Sequence, residues 1–197
     1  MDTAISAINP NLYYGFIQNG GNLYISNNAG NSTTATVSAP SGGGNWVTPL
    51  ISNSIGEIYS GFDGLYKLVG TNWVLQGTTN FGFGNLELIT VDPSNDNNMY
   101  VVNDSNLYKS TNKGLSFSLI YSSFDEISAI DIHSSNSNII YIVTSGIFGE
   151  VKKSIDGGNT FVSMSNGLPN IGKNTIVHQG AHAQNPLYLG TSLGVYY

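Results

Sequence analysis

The chain has 197 residues and a formal net charge of −6 at pH 7, with 9% of its residues charged and 40% hydrophobic. All six basic residues are lysines, so the chain lacks the basic face of a nucleic-acid binder and the arginine clamp of many anion sites. It contains no cysteine, which excludes disulfides and thiolate metal sites.

The first predicted element to recognise is a strand with an aromatic residue near its start, which occurs five times along the chain. Its aligned tyrosines are separated by 46, 41, 41 and 47 residues and are Tyr13, Tyr59, Tyr100, Tyr141 and Tyr188. Repeats of this length are typical of β-propeller blades, in which each unit is a four-stranded sheet. We therefore predict an all-β fold, a β-propeller built from four-stranded blades.

The four strands of a unit are clearest in the fourth repeat. Residues 127–132 alternate at period 2, as in a half-buried strand, and residues 139–144 form a nearly continuous apolar run. Residues 150–154 and 160–164 supply the other two strands. Applied to the whole chain, the pattern predicts one propeller segment with blades at residues 4–39, 46–79, 86–123, 126–165 and 174–197, the last of them incomplete.

About four and a half blades are thus present. A blade without its fourth strand exposes unpaired backbone groups, and propellers avoid this by closing, so we expect the chain to be part of a longer propeller. A five-bladed closure or pairing between chains is the alternative. No apolar run is long enough to cross a bilayer, and we expect no membrane insertion.

A short motif occupies the turn between strands three and four. The fourth repeat supplies Ser154, Asp156, Gly158, Thr160 and Phe161, and the third supplies Ser110, Asn112, Gly114, Ser116 and Phe117, with a fainter copy at residues 26–32. The carboxylate or amide can accept backbone N–H groups inside the turn, and Gly tolerates a positive φ. We therefore predict that these residues have a structural role.

This motif resembles the aspartate box, or bacterial neuraminidase repeat, whose turns lie on the rim of a propeller. The phrases at residues 91–95, 132–136 and 187–196 resemble propellers of the xyloglucanase, sortilin and photosystem II assembly factor group. They look most like large Bacteroidetes surface proteins exported by the type IX secretion system. The resemblance implies a secreted or cell-surface bacterial protein, the remainder of a longer chain, and a glycan or protein ligand.

The chain departs from this group in several ways. Sialidases hold their acidic substrate with three arginines, and this chain has none, which excludes sialidase activity. The disulfide module that follows sortilin propellers and the arginine patch of the photosystem assembly factors are missing too. Xyloglucanases place two acidic residues in a cleft between two propellers, so this chain would hold at most half of such a site.

Seven carboxylates are candidates for acid–base chemistry: Asp63, Asp92, Asp104, Asp125, Glu126, Asp131 and Glu150. Glycoside hydrolysis needs two of them facing one bond, roughly 5–10 Å apart. Asp92 and Asp131 occupy equivalent repeat positions, which favours a turn role. Asp125 and Glu126 lie in a blade-to-blade connection, where solvated charges are common. Asp125 and Asp131 are retained as the catalytic candidates.

Four aromatic residues are candidates for stacking on a ligand such as a sugar ring: Trp46, Trp73, Phe81 and Phe83. Core or inter-blade positions are the favoured interpretation for the two tryptophans. Phe81 and Phe83 lie in a loop rich in Gly and Asn and need not be buried, although the loop could also plug the propeller near its axis.

His178 and His182 are four residues apart, a spacing that binds metal ions on a helix. Here the segment is predicted to be a strand followed by a loop, and no third ligand is evident. We therefore predict neither a metal site nor a cofactor.

Two main hypotheses follow. The first is a non-catalytic binding or structural module of a secreted or cell-surface bacterial protein, with loops that engage a glycan or a protein. The alternative is a fragment of a xyloglucanase-like glycoside hydrolase. A scaffolding or assembly role with one specific protein partner is a third hypothesis.

Overall fold

The computed structural model describes residues 2–40, 42–180, 182 and 184–197. Within these residues, nineteen β-strands form five antiparallel sheets, joined by turns and one 3-10 turn at Gln18–Gly20. No helix of the described residues is long and apolar enough to cross a membrane.

The first three sheets have four strands each, in chain order. The first contains β1 (Thr3–Ile5), β2 (Tyr13–Phe16), β3 (Asn22–Ser26) and β4 (Ala35–Ser38). The second contains β5 (Leu50–Ser52), β6 (Ile58–Gly61), β7 (Leu65–Val69) and β8 (Asn72–Leu75). The third contains β9 (Leu88–Val91), β10 (Met99–Asn103), β11 (Asn106–Ser110) and β12 (Ser118–Ser122).

The last two sheets continue the same order. The fourth contains β13 (Ile127–Ile132), β14 (Ile140–Thr144), β15 (Val151–Ser154) and β16 (Val162–Ser163). The fifth contains β17 (Lys173–His178), β18 (Leu187–Thr191) and β19 (Gly194–Tyr196). The predicted all-β fold is therefore confirmed, as a partial β-propeller of four four-stranded blades and one sheet of three strands.

Neighbouring blades meet along their first strands. Strands β1, β5, β9, β13 and β17 contact one another in that order. Behind them, the second strands β6, β10 and β14 are buried along their whole length. Such a strand is covered by a neighbouring blade on each face, which explains its unbroken apolar sequence.

The hydrophobic core is divided into four clusters, each shared by two consecutive blades. Between the second and third blades, for example, Tyr59 and Leu65 pack with Met99 and Val101. All four side chains are almost completely buried. Burying such a side chain contributes about 1.5–3 kcal/mol, so contacts between sheets are a large source of stability.

The turns between strands three and four form the same hydrogen-bond network in three blades. In the fourth blade, Ser154 Oγ donates to Asp156 Oδ1 (2.8 Å) and accepts the amides of Asp156 (3.3 Å) and Gly158 (2.9 Å). Asp156 in turn accepts the amide (2.9 Å) and the hydroxyl (2.6 Å) of Thr160. A buried serine and an acceptor side chain thus satisfy the inward-facing polar groups of the turn.

The other two turns repeat this network with an amide in place of the carboxylate. Asn112 Oδ1 accepts from the Ser110 hydroxyl (2.8 Å) and the Ser116 amide (3.0 Å), and its Nδ2 donates to Ser116 Oγ (2.9 Å). Asn28 makes the equivalent contacts with Ser26 and Ser32 in the first blade. The fainter copy at residues 26–32 therefore has the same geometry.

In the third and fourth blades, the glycine of the turn is required by backbone and packing together. Gly158 has a φ of 94° and Gly114 a φ of 83°, in the region that L side chains rarely adopt. A Cβ on Gly158 would lie 2.7 Å from the Ile120 side chain, and one on Gly114 would lie 2.4 Å from Leu65. Both neighbours belong to the preceding blade, so these turns also seal the interface between blades.

Replacing the turn serine tests this network. Ser154→Ala should lower the free energy of unfolding by about 1–3 kcal/mol, because the buried Gly158 amide loses its acceptor. Chemical denaturation measures the effect, with the exposed Thr33→Ala as control. Equal stability of the two variants would contradict a structural role for the serine.

Two buried tyrosines give opposite expectations. The Tyr100 hydroxyl is buried without a partner among the described residues, whereas the Tyr59 hydroxyl donates to Glu57 (3.0 Å). Tyr100→Phe should therefore raise the free energy of unfolding by about 1 kcal/mol, and Tyr59→Phe should lower it by about 1–2 kcal/mol. Matched denaturation curves measure both, and a loss of stability in Tyr100→Phe would show that its hydroxyl has a role.

Candidate binding surface

The strand order gives the propeller two faces. The connection face carries the turns between strands two and three and the blade-to-blade connections, at residues 17–21, 39–40, 42–49, 62–64, 76–87, 104–105, 123–126, 145–150 and 164–172. The turn face carries the loops between strands one and two and the turns between strands three and four, including residues 92–98, 111–117, 133–139 and 155–161.

The acids of the turn face are held by the fold. The buried Asp92 accepts hydrogen bonds from the Ser94 amide (2.9 Å) and hydroxyl (2.7 Å) and from Asn98 Nδ2 (3.0 Å). Burial raises the pKa of Asp92, but the hydrogen bonds from Asn98 and Ser94 outweigh it and the pKa is lowered. These contacts support a turn role for Asp92.

Asp131 is the last residue but one of β13 and accepts hydrogen bonds from the backbone amides of Ile132 (2.9 Å) and His178. Burial is the larger influence here and raises the pKa of Asp131 above its usual value. The His178 contact crosses to the fifth blade, so the carboxylate joins two blades. A role in holding these blades together accounts for its environment.

The two catalytic candidates lie on different faces. Asp125 precedes β13 on the connection face, whereas Asp131 lies near its other end. At about 3.3 Å per residue the two are roughly 20 Å apart, well beyond the separation of about 5–10 Å that paired glycosidase carboxylates require. Asp125 and Asp131 therefore cannot act together on one glycosidic bond.

His178 is part of the core. Its ring lies 4.1 Å from that of His133, which occupies the equivalent position in the preceding blade, and both side chains are buried. His182 lies beyond the end of β17. Among the described residues, no group of three or more His, Cys, Asp or Glu side chains could share a metal ion.

Two of the four aromatic candidates are also enclosed by the fold. Trp73 stacks on Phe16 with ring centroids 5.9 Å apart, in the core of the first two blades. Phe81 is only 5% exposed, because the rings of Tyr108 (5.1 Å) and Phe117 (5.2 Å) meet it edge-on. The expectation that Phe81 need not be buried is corrected by this packing.

The other two candidates are open to solvent. Trp46 is 68% exposed, contrary to the core or inter-blade position favoured by the sequence, and Phe83 is fully exposed. Two further aromatics, which sequence reasoning missed, share this setting: Phe124 is fully exposed and Phe148 is 72% exposed. All four lie in loops of the connection face, each with Ser, Gly or Asn on at least one side.

Hydrogen bonds link these loops into one continuous band. They comprise Asn19 N to Trp46 O (3.3 Å), Asn85 Nδ2 to Asn45 Oδ1 (3.4 Å), Asn103 Nδ2 to Phe83 O (3.2 Å), Ile127 N to Asp104 O (2.9 Å) and Ser145 N to Glu126 O (2.8 Å). The band runs from the first blade to the fourth. The exposed aromatics are therefore mounted on loops that brace one another.

The connection face also carries a group of close carboxylates. Burial raises the pKa of Glu87, and repulsion from Glu126 and Asp104 raises it further, although an amide hydrogen bond from Asp104 opposes the change. Glu126 and Asp104 are themselves exposed. This part of the face combines negative charge with neighbouring aromatic rings.

Comparison with known proteins shows that the fold is similar to that of several solved structures. No family model matches the chain, and no curated protein matches it either. Among solved structures, it is similar to an ancestral GH74 enzyme, with a TM-score of 0.56, 22% identity, and coverage of 71% of this chain and 21% of that one.

Two further solved structures superpose on nearly the whole chain. One is YCF48 bound to D1 peptide, with a TM-score of 0.67, 12% identity, and coverage of 97% of this chain and 59% of that one. The other is a chain of the Mitotic Checkpoint Complex, with a TM-score of 0.69, 10% identity, and coverage of 98% and 59%. The chain thus spans less than two thirds of each of these proteins, and identities this low show the propeller fold alone.

The pKa of the turn carboxylate Asp156 predicts how the stability of the chain changes with pH. Hydrogen bonds from the hydroxyl and amide of Thr160, then from Ser154, lower its pKa to about 2. Its stabilising contribution should be complete above about pH 4 and lost as the pH falls towards 2. Asp156→Asn retains the turn network, as Asn112 shows, and should flatten the decline of melting temperature over this interval. An unchanged decline would contradict the assignment.

Proposed function

We propose that this chain is a non-catalytic binding module of a secreted or cell-surface bacterial protein, and that it engages its ligand through the connection face. The observation that carries the proposal is the concentration of Trp46, Phe83, Phe124 and Phe148 on this one face, each more than half exposed. The corresponding aromatics of the turn face, Phe117 and Phe161, pack against the core.

The energetics favour a ligand over a folding role for these rings. An exposed aromatic ring contributes little to stability, whereas clustered exposed apolar groups commonly mark interaction sites. Aromatic side chains are also enriched among the residues that dominate binding energy. A rigid scaffold with braced loops reduces the entropy that binding must overcome.

The similar structures support binding as the function. One of them is YCF48 with a bound peptide, and another is part of a protein assembly, so propellers of this shape serve as binding platforms. The low charge and absence of cysteine are compatible with an extracellular bacterial protein, and the turns resemble the aspartate box. A surface protein exported by the type IX system is the most specific form of this proposal.

The hydrolase alternative draws on the likeness to the GH74 enzyme. It requires a partner for Asp125 other than Asp131, because Asp131 is engaged by backbone amides and lies on the face opposite Asp125. Release of reducing ends from xyloglucan or β-glucan by the full-length protein, abolished by Asp125→Asn, would establish hydrolysis instead of simple binding.

The binding face is tested by selecting ligands and then removing the rings. Ligands are selected with the wild-type chain from a random peptide library and a panel of xyloglucan and β-glucan oligosaccharides. Phe83→Ser/Phe124→Ser should weaken binding of the selected ligands at least about tenfold, which is the effect expected when two interface aromatics are lost. The measurement is a titration by fluorescence anisotropy.

The control variant removes equally exposed apolar groups from the turn face. Ile8→Ser/Ile155→Ser should bind like the wild type, since both side chains are about 70% exposed in loops of that face. Melting temperatures report whether all variants are folded. Ligands that bind Phe83→Ser/Phe124→Ser as tightly as the wild type would place the binding surface elsewhere and overturn the proposal.

A further inference from the structure

Most carboxylates of the propeller are engaged by the fold, and two neighbouring ones on the connection face are not. On the turn face, the carboxylates accept hydrogen bonds or ion pairs from the fold itself: Asp92 from Asn98, Asp96 from Ser54, Asp131 from His178, Asp156 from Thr160 and Glu57 from Lys67. On the connection face, Asp63, Glu87 and Glu150 are likewise engaged, by Tyr66, the Asp104 amide and Lys152. The side chains of Asp125 and Glu126 differ, because they make no hydrogen bond or ion pair with any of the described residues.

The lysines do not neutralise these free acids. Lys67 pairs with Glu57, and Lys152 pairs with Glu150. Lys109 donates to Gly157 O (2.7 Å), and Lys113 lies in a turn of the turn face. Lys153 lies over the Tyr141 ring, and Lys173 is buried against the carbonyls of Pro169 and Ile171. The connection face around Glu87, Asp104, Asp125 and Glu126 is thus anionic, and within the part of the chain that the structure describes no lysine pairs with these four carboxylates.

The acids and the exposed rings are neighbours in the chain and in the band. Phe124 directly precedes Asp125 and Glu126, and Phe83 lies four residues before Glu87. A guanidinium or ammonium group above an aromatic ring is attracted by the ring face, and a carboxylate beside it adds a charge-assisted hydrogen bond. One cationic side chain can use both contacts at each of these loops.

We propose that the ligand of the connection face is a polypeptide segment rich in arginine or lysine, laid across the band from the second blade to the fourth. This deepens the proposed function, on which it rests, by naming the partner class. A neutral glycan would stack on the rings but would leave the carboxylates without compensating charge. A single metal ion would not span loops that belong to several blades.

The test uses three fluorescein-labelled probes on the whole chain. They are a short peptide of alternating Arg and Ser, the same peptide with Glu in place of Arg, and a xyloglucan oligosaccharide. The Arg peptide should bind and should weaken as salt is added, because exposed charges are screened. Asp125→Asn/Glu126→Gln should weaken it about fivefold to tenfold at low salt, as expected when two ionic contacts at the surface are lost.

The matched control removes two charges from the turn face. Asp96→Asn/Asp156→Asn has the same net charge as Asp125→Asn/Glu126→Gln and should bind the Arg peptide like the wild type. An equal loss in both double variants would show attraction by overall charge and would overturn the inference. Absence of Arg-peptide binding by the wild type would also overturn it.

The inference and the proposed function can fail separately. If the oligosaccharide or the Glu peptide binds in a manner that depends on Phe83 and Phe124, while the Arg peptide does not bind, the connection face is the binding surface and the partner class is wrong. If the Arg peptide binds equally well to Phe83→Ser/Phe124→Ser, the rings take no part and both proposals fall.

Discussion

The structure depends on one constraint, which is that a single four-stranded sheet cannot bury both of its faces by itself. Each blade places an almost wholly apolar second strand at its centre, as in β10 and β14, and this strand is covered only when a blade lies on either side. The four clusters of the core are accordingly all shared between consecutive blades. Radial repetition is therefore the requirement from which the rest of the architecture follows.

That constraint makes the two faces unequal. The turns of the turn face also seal blades together: Gly158 leaves no room for a side chain against Ile120, and Asp131 reaches across to the His178 amide. Residues that hold two blades together in this way cannot also be adapted to binding a ligand. The loops of the connection face brace one another mainly through backbone groups and Asn side chains, as between Asn103 and Phe83. Their large side chains can therefore point into solvent without weakening the propeller.

Sequence was a good guide wherever the governing interactions are local. The tyrosine spacing indicated the blades, and the serine–aspartate pattern around Ser154 indicated a turn, because strand alternation and turn hydrogen bonds involve residues close in the chain. Phe81 and Phe83 show where local reasoning ends. They are two residues apart in one loop, yet Phe81 is buried because Tyr108 and Phe117 fold back onto it from the next blade. Nothing in the loop itself encodes that contact.

Because the chain carries few charged residues, the position of each acidic side chain is informative. With few lysines available, most of the turn-face carboxylates are satisfied by hydroxyl, amide or backbone donors, as Asp156 is by Thr160. Carboxylates that served only solubility could lie anywhere on the surface. Instead, Asp125 and Glu126 directly follow Phe124, which is a fully exposed ring on a short and well-braced connection. Desolvating such a ring together with a carboxylate is favourable only when the incoming group is both cationic and partly apolar, which is the chemistry of arginine and lysine side chains.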